Sequence, residues 1–105
     1  MKYEIIITAT AETDLNSAVD YIEHVLLNPQ AADDLLDEAE AKIADLALFP
    51  EKNPLISDPV LKAWGIRFAA VKNYLIFHTI SHPEQRVQII RFLYRKRDWT
   101  SILRN

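Results

Sequence analysis

The spacing of apolar residues changes along the chain, and each change predicts a new element of secondary structure. Tyr3–Thr8 is a short run rich in isoleucine, a composition typical of a strand. Because its three isoleucines make both faces apolar, we expect this strand to lie within a covered sheet. From Ala11 onward the spacing becomes helical, which predicts a first helix capped by Thr10 or Thr13.

Two helices are predicted between this strand and the middle of the chain. The buried stripe of the first is expected to consist of Leu15, Ala18, Val19, Ile22, Val25 and Leu26. Asn28 and Pro29 suit the N-cap and first position of a second helix, which should end at Phe49–Pro50. Because the connection is so short, the two helices should pack as an antiparallel hairpin.

The second half of the chain predicts strands. Pro50–Pro59 contains three prolines and predicts an extended connector with little regular structure. Three runs typical of strands follow it, at Ile66–Val71, Tyr74–Ile80 and Val87–Tyr94. Lys72–Asn73 predicts a tight hairpin in which the asparagine takes positive φ, and Ser81–Gln85 predicts a longer hairpin loop. The three strands should therefore form an antiparallel meander.

A short tail completes the predicted fold. Trp99, Ile102 and Leu103 are spaced as on one face of a helical turn, so the tail is expected to fold back onto the sheet. The prediction is an α+β protein, with an N-terminal strand, an α-helical hairpin, a three-stranded antiparallel meander and a short C-terminal helical tail. We expect residues 1–105 to form one domain, because a chain of 105 residues suffices for a single core.

Charge is divided unequally along the chain. The formal net charge is −3, but residues 1–59 carry 13 acids and three cations, whereas residues 60–105 carry nine cations and two acids. The basic half favours a polyanionic or acidic partner. Its densest part is the stretch RFLYRKRDW, Arg91–Trp99, in which four cations alternate with aromatic residues.

Composition excludes several kinds of chemistry. There is no cysteine for a disulfide or a thiolate metal site, and Gly65 is the single glycine, so no phosphate-binding glycine loop exists. His24, His78 and His82 lie in different predicted elements; we interpret His78 as a core-edge residue and His82 as a solvated loop residue, and we expect no metal and no cofactor. The N-terminal apolar run is too short for a signal peptide or a membrane span, so we expect a soluble, unprocessed chain.

The remaining candidates for chemistry are basic and aromatic. Strict alternation along the last strand would place Arg91 and Arg95 on one face and Phe92 and Tyr94 on the other. Arg67 is flanked on its own face by small side chains, which would leave an open, positively charged floor for a phosphate. An alternative interpretation is that these arginines border the sheet, with their stems on apolar surface and their heads in water.

The whole chain resembles a toxin of the RelE/ParE superfamily from bacterial type II toxin-antitoxin systems. The resemblance rests on the opening YEIIITATAETDL, on DYI at Asp20–Ile22, on DLALFP at the end of the second predicted helix, and on GIRFAAVKNYLIFHTI followed by VQIIRFLYRKRDWTSIL. It covers nearly all 105 residues. The fold that it implies has the same order of elements as the one predicted above.

The resemblance implies two possible activities, of which the first is cleavage of mRNA. RelE-like toxins are endoribonucleases that cut mRNA in the ribosomal A site without a metal, using arginines to stabilise the phosphate and a Tyr, His or Glu to move protons. The catalytic candidates in this chain are Arg67 at the scissile phosphate, Arg91 or Arg95 as stabilising cation, and Tyr94 as acid or base. The candidates for binding RNA or another target are Lys72, Lys96, Arg97 and Trp99.

The second possible activity is inhibition of DNA gyrase, since ParE-like toxins bind gyrase and are not nucleases. Leu75 favours this alternative, because many nuclease members carry arginine directly after the tyrosine that corresponds to Tyr74. Trp99 and Ile102 could form the contact surface. Members of both kinds are cytoplasmic and are neutralised by a cognate antitoxin, through which operator DNA is bound. A third hypothesis is that toxicity has been lost and the chain only binds its antitoxin.

Overall fold

The computed structural model describes residues 2–105 as four strands, four α-helices and one π-helical turn. In chain order they are β1 (Glu4–Ile7), α1 (Ala9–Asp20), the π-helical turn (Tyr21–Val25), α2 (Pro29–Leu48), α3 (Pro59–Ala63), β2 (Arg67–Val71), β3 (Tyr74–Ser81), β4 (Arg86–Tyr94) and α4 (Trp99–Arg104). The predicted α+β order of strand, helical hairpin, meander and tail is confirmed. No helix in the described part of the chain is both long and apolar enough to cross a membrane.

The strands form one sheet in the order β1-β4-β3-β2. The hairpins β2–β3 and β3–β4 are antiparallel, whereas β1 runs parallel to β4 with Ile7 opposite Ile89. β1 therefore lies at the sheet edge, where Ile5 packs into the core while Ile6 and Ile7 are 37% and 45% exposed. The prediction that both faces of this strand are covered is wrong, because an edge position beside one neighbour leaves part of the strand in solvent.

The start of α1 is set by its predecessor Thr8. The Thr8 backbone N–H donates to the Ile89 carbonyl at 3.0 Å, and its side-chain Oγ1 accepts from the backbone N of Ala11 at 3.1 Å. Thr8 is thus the last residue joined to β4 and also the N-cap of the helix. The caps predicted at Thr10 and Thr13 are wrong, because the chain leaves the sheet one residue after β1 and both threonines lie inside α1.

α2 has the predicted ends. Asn28 accepts from the backbone N of Ala31 at 3.1 Å, and Pro29 is the first helical residue. The helix ends at Leu48, with Phe49 as its C-cap. A proline immediately after Phe49 disfavours continuation of the helix.

The π-helical turn between α1 and α2 is not predicted by the apolar spacing. The Leu26 N–H donates to the Tyr21 carbonyl, five residues earlier, at 3.0 Å. The additional residue in this turn rotates the side chains that follow by about 100°. Val25 and Leu26, which were predicted to be buried, are consequently 63% and 55% exposed. Leu27 then reverses the chain in the left-handed conformation, with φ of 53°.

Both faces of the sheet are covered by a core. α1 and α2 cover one face, with a buried core that includes Ala11, Leu35, Ala39, Leu46, Val71, Ile76, Val87, Ile89 and Phe92. On the opposite face, the connector, α3 and α4 pack around Phe77 and Leu93. The predicted return of the tail is confirmed by Trp99, whose ring lies 5.5 Å from that of Phe77.

The connector and the tail are joined through Asp58. This carboxylate accepts from the backbone N–H groups of Val60 and Leu61 and so starts α3, a helix that the proline-rich sequence did not predict. It also accepts from Nη2 of Arg104 in α4 at 2.7 Å. The Leu61 backbone hydrogen bond and the Arg104 guanidinium hold the pKa of Asp58 below its usual value.

A β-bulge in β4 changes which side chains face each core. The register between β3 and β4 shifts at Ile90, which has no partner residue on β3. Val87 and Ile89, before the bulge, share the helix-side core with Phe92, after it, while Leu93 faces the opposite core. Strict alternation along β4 would put Leu93 on the same face as Val87 and Ile89, and it fails here because the extra residue at Ile90 shifts the alternation by one position.

At the bulge Arg91 turns onto α1. Its Nε and Nη2 donate to the two carboxylate oxygens of Asp14 at 2.7 and 3.0 Å, and the same carboxylate accepts from the backbone N of Phe92 at 3.1 Å. The Arg91 and Asp14 side chains are only 26% and 14% exposed. Asp14 therefore holds both the arginine and the backbone edge of β4.

The substitution Asp14→Ala should lower the free energy of unfolding by about 3 kcal/mol, because it leaves a largely buried guanidinium and a backbone N–H without an acceptor. Urea unfolding followed by circular dichroism measures this loss. Glu4→Gln is the matched control, since Glu4 also forms an ion pair with an arginine, Arg86, but its side chain is 58% exposed. It should cost less than about 1 kcal/mol. Equal losses in the two variants would contradict the structural role given to Asp14.

Candidate functional site

Arg67, the predicted phosphate-binding residue, lies at the start of β2, where the connector runs along the edge of that strand and forms a bridge between Leu55 and Arg67. Its Nη1 donates to the carbonyl of Asn53 at 2.7 Å and lies 3.5 Å from that of Glu51. Its neighbours on the same face, Ala69 and Val71, are 5% and 0% exposed because they pack in the helix-side core. The prediction of an open, positively charged floor beside Arg67 is wrong, since helices cover it.

The catalytic candidates do not surround a common point. Arg67 is opposite His78 on β3, whereas Tyr94 is opposite Tyr74. These two positions on β3 are four residues apart, a separation of about 14 Å along the strand. Arg91 turns to Asp14 rather than toward either of them. The structure therefore does not bring Arg67, Arg91 and Tyr94 together at one phosphate.

Three consecutive cations after β4 are free of internal partners. Arg95, Lys96 and Arg97, here called the cationic triplet, are exposed, and their side chains make no hydrogen bond or ion pair within residues 2–105. The remaining arginines are engaged: Arg67 with backbone carbonyls, Arg86 with Glu4 and Glu84, Arg91 with Asp14, and Arg104 with Asp58. Unpaired cations side by side repel one another, so this surface favours an anionic partner.

An aromatic groove of about 780 Å³ opens beside the cationic triplet, between α1, the π-helical turn and the end of the β3–β4 hairpin. We call it the tyrosine groove; its lining includes Tyr21, Ile22, Leu26, Tyr74, Phe92, Tyr94 and Arg97. The Tyr74 ring stacks on Phe92 with a centroid distance of 5.1 Å and contacts Tyr94 edge-on at 5.5 Å. Burial, and then the neighbouring Tyr94 and Tyr21, raise the pKa of the Tyr74 hydroxyl above its ordinary value.

Two of the predicted target-binding residues are used within the fold. The backbone N of Lys72 donates to Oε2 of Glu38 at 3.0 Å, and its Nζ lies 4.0 Å from Oε1 of the same residue. Lys72, rather than the predicted Asn73, takes the positive φ of the hairpin turn, at 54°. Trp99 contacts Phe77 in the second core. Lys72 is still half exposed, and Lys96 and Arg97 are the members of the predicted set whose side chains have no partner within residues 2–105.

A hydrogen-bonded chain of three side chains was missed by sequence analysis. The Tyr3 hydroxyl lies 2.8 Å from Nδ1 of His82, and Nε2 of His82 lies 3.0 Å from Oε1 of Glu51. His82 is an exposed loop residue, as predicted, with its side chain 53% exposed, and it is also held between two partners. An imidazole oriented by a carboxylate and bonded to a hydroxyl is suited to proton transfer. The three residues come from distant segments without a motif, so no local sequence signal could have revealed them.

One cluster has the residue types of a metal site. Asp20, Glu23 and His24 place one possible ligand atom each within 4.8 Å of one another at the π-helical turn. His24 also forms a 3.6 Å contact with Glu23. Exposed acidic groups of this kind commonly occur without an ion. No function is assigned to this cluster.

His78 is part of the core rather than of its edge. It is fully buried, its Nδ1 lies 3.4 Å from the Ile76 carbonyl, and its Nε2 has no hydrogen-bond partner within residues 2–105. Burial lowers the pKa of His78 from 6.5 to about 4, and the nearby Arg67 contributes to this shift. At neutral pH the ring is therefore uncharged and structural.

Comparison with known proteins identifies the same family over most of the chain. The model of the ParE toxin of the type II toxin-antitoxin system parDE matches residues 5–99. No curated protein matches the sequence significantly. Among solved structures, the chromosomal ParDE toxin-antitoxin system from P. aeruginosa superposes with a TM-score of 0.69 at 16% identity, over 89% of this chain and 96% of that one. A RelBE toxin-antitoxin complex from Mycobacterium tuberculosis gives 0.61 at 21% identity, over 90% and 100% of the two chains. At these identities the structural likeness concerns the fold.

The buried His78 should make stability fall in mild acid. Because the unfolded chain binds a proton near pH 6.5 and the folded chain only near pH 4, the stabilising contribution is complete above pH 6.5 and declines as the pH falls. At pH 5 about 2 kcal/mol should have been lost relative to pH 8. Urea unfolding of the wild type and of His78→Leu at both values isolates this loss, since the other titrating groups are shared. An equal pH dependence in the two proteins would contradict the burial of a neutral His78.

Proposed function

The chain belongs to the ParE toxin family of type II toxin-antitoxin systems, and we propose that it acts by binding and inhibiting DNA gyrase without cleaving nucleic acid. One observation carries this choice: Arg67 and Arg91, predicted for nuclease chemistry, are engaged within the fold and lie apart from Tyr94, whereas Arg95 belongs to the cationic triplet, which is unengaged beside the tyrosine groove. A binding surface requires accessible charge and apolar area on one face. It does not require the convergent acid, base and phosphate cation of a nuclease.

The chemistry of this surface supports a macromolecular partner. Arg95 and Arg97 are held on an ordered backbone, since the Arg95 N–H donates to the Asn73 carbonyl at 2.9 Å and the Arg97 N–H to that of Tyr94 at 3.0 Å. Arginine and tyrosine are residue types enriched where interfaces gain most of their binding energy. The proposed target site therefore consists of the cationic triplet and the adjoining tyrosine groove.

Ribosome-dependent mRNA cleavage is the second candidate function. It is favoured by the three hydrogen-bonded side chains Tyr3, His82 and Glu51. Glu51 links this chain to Arg67, because Nη1 of Arg67 lies 3.5 Å from the Glu51 carbonyl. In this alternative His82 would take the proton of the attacking 2′-hydroxyl, and Arg67 would stabilise the charge on the phosphate. The nuclease centre would then lie at the opposite end of the sheet from Tyr94.

The family also implies the remaining partners. We propose that a cognate antitoxin neutralises this toxin in the cytoplasm and that operator DNA is bound through the antitoxin. The fold matches recorded for toxin-antitoxin complexes support the antitoxin as partner.

Purified protein should inhibit gyrase and leave mRNA intact. Titration into a DNA supercoiling assay measures the first, and primer extension on mRNA in a purified translation system measures the second. His82→Gln and Glu51→Gln should retain full inhibition of supercoiling. The second candidate function replaces the proposed one if two results are found together. Gyrase is then unimpaired at saturating protein, and mRNA is cut by the wild type but not by these two variants.

Removal of charge from the cationic triplet should weaken inhibition. The pair Arg95→Ala and Arg97→Ala should raise the concentration needed for half-inhibition of gyrase roughly tenfold or more, because each substitution removes a positive charge that would attract an anionic surface of the partner. Arg86→Ala is the matched control, since Arg86 is already paired with Glu4 and Glu84.

Tyr94→Phe gives a further discrimination, because it keeps the ring and removes a hydroxyl that has no hydrogen-bond partner within residues 2–105. Inhibition should stay within about threefold of the wild type. A loss as large as that of the arginine pair would assign to the Tyr94 hydroxyl a direct hydrogen bond with the target.

A further inference from the structure

The two edges of the sheet differ in how far their outward backbone groups are paired. At the β2 edge, the Phe68 N–H donates to the Pro54 carbonyl of the connector at 3.2 Å. Just beyond the strand, the Lys72 N–H donates to Oε2 of Glu38 at 3.0 Å. This leaves Ala70 as the one outward residue of β2 whose N–H has no partner in the described chain. The connector and α2 therefore block most of this edge against a further strand.

The β1 edge is open at two outward residues. The N–H groups of Glu4 and Thr8 donate toward the β4 side of the strand at 2.9 and 3.0 Å. Because the backbone direction alternates along a strand, Ile5 and Ile7 direct their N–H and C=O groups away from β4. These outward groups form no hydrogen bond anywhere in residues 2–105. Free groups of this kind are a template for pairing with another strand.

Apolar side chains surround this free edge. Ile6 and Ile7 are 37% and 45% exposed. The end of α2 lies beside the start of β1, because the Ala47 carbonyl accepts the Tyr3 N–H at 2.8 Å, and the following Phe49 is 57% exposed. β1 also lacks the lysine or proline that commonly protects an edge strand. The edge therefore combines unpaired backbone groups with apolar area.

A second copy of β1 fits this edge. When two β1 strands run antiparallel about a two-fold axis at Ile6, Ile5 of each copy lies opposite Ile7 of the other. Each such pair then exchanges two N–H···O hydrogen bonds, because both residues face the partner strand. Charge is compatible as well, since Glu4, the one charged residue of β1, is already paired with Arg86 in its own sheet. The strand is thus complementary to itself in hydrogen bonds, apolar area and charge.

We propose that two copies of this chain pair through β1 and form one continuous sheet across the two-fold axis. Because β1 has four residues, the interface is smaller than the standard total of about 1,600 Å², and we expect a reversible dimer with a Kd on the order of 10 µM. The cationic triplet stays accessible, since it follows β4 at the end that β1 does not reach. The dimer is therefore compatible with the proposed function and does not depend on it.

The backbone pairing is tested by sedimentation velocity of the full chain from about 1 to 500 µM. Ile7→Pro removes an outward N–H and leaves the pairing of β1 with β4 intact, so it should raise the dimer Kd at least about tenfold. Ala70→Pro is the matched control, because it removes an outward N–H from the opposite edge, and its Kd should stay within about threefold of the wild type. Circular dichroism confirms that each variant is folded. Equal weakening by the two prolines would overturn the proposed edge.

A second pair of variants keeps every backbone N–H. Ile7→Lys should also raise the dimer Kd at least about tenfold, since it places a charge in the apolar contact. Val25→Lys should leave it unchanged, because Val25 is 63% exposed at the π-helical turn, away from β1. An unchanged Kd in Ile7→Lys contradicts the proposal. So does a wild type that stays monomeric at about 500 µM; if Ile7→Pro then weakens binding of the antitoxin instead, the edge belongs to that partner.

The register is tested with single cysteines, because the chain contains none. Ile6 faces Ile6 of the other copy as a non-hydrogen-bonded pair with a Cα–Cα distance of about 4.5 Å, which suits a disulfide. Mild oxidation of Ile6→Cys should therefore give a covalent dimer on a non-reducing gel. Gln88→Cys is the control, since Gln88 is exposed beside Ile6 on β4 but lies three strand spacings, roughly 14 Å, from its equivalent. Absence of the Ile6→Cys dimer, or equal yields from both variants, rules out the proposed pairing.

Discussion

The carboxylate of Asp14 is the constraint on which the arrangement of the other elements depends. β1 pairs with β4 only as far as Ile7 opposite Ile89. Beyond that point the edge of β4 would lack partners, and Asp14 supplies one by accepting the Phe92 N–H while it binds Arg91 through two hydrogen bonds. A single side chain thereby fixes α1 against the bulged part of β4, where an unpaired N–H or an isolated guanidinium would be costly.

The same contact determines which cations remain on the surface. Sequence analysis treated Arg91, Arg95, Lys96 and Arg97 as one basic stretch, but the bulge at Ile90 directs Arg91 inward to Asp14. The three cations that follow lie beyond the sheet, where no acidic side chain in the described part of the chain reaches them. The large excess of acids in the first half of the chain therefore does not neutralise this end of the molecule. Its positive field is available to a partner.

What could be predicted from sequence was local, and what could not be predicted was set by contacts between distant residues. The N-cap at Asn28, the ends of α2, the two hairpins and the return of Trp99 onto the sheet follow from spacing and from the preferences of individual residues. The bulge at Ile90 and the π-helical turn each insert one residue into a regular pattern. The sequence around each is apolar on both sides of the insertion, so the spacing of apolar residues does not show where the extra residue lies. The chain Tyr3–His82–Glu51 joins three loops or strand ends, so its existence depends on the finished fold. The sequence shows the basic stretch Arg91–Trp99 but not which of its cations is paired, because Arg91 meets Asp14 only in the finished fold.

The π-helical turn connects the geometry of the fold to its use. The Leu26 to Tyr21 hydrogen bond closes a turn that is one residue wider than an α-helical turn, and Val25 and Leu26 at its end are 63% and 55% exposed. That exposure opposes folding, since apolar side chains gain free energy when they leave water. Tyr21 at the start of this turn and Leu26 at its end both line the tyrosine groove, so the turn presents apolar surface next to the cationic triplet. π-helical turns are found often at functional sites, and here the turn brings an apolar contact and an unpaired charge to one surface, as a partner that recognises both would require.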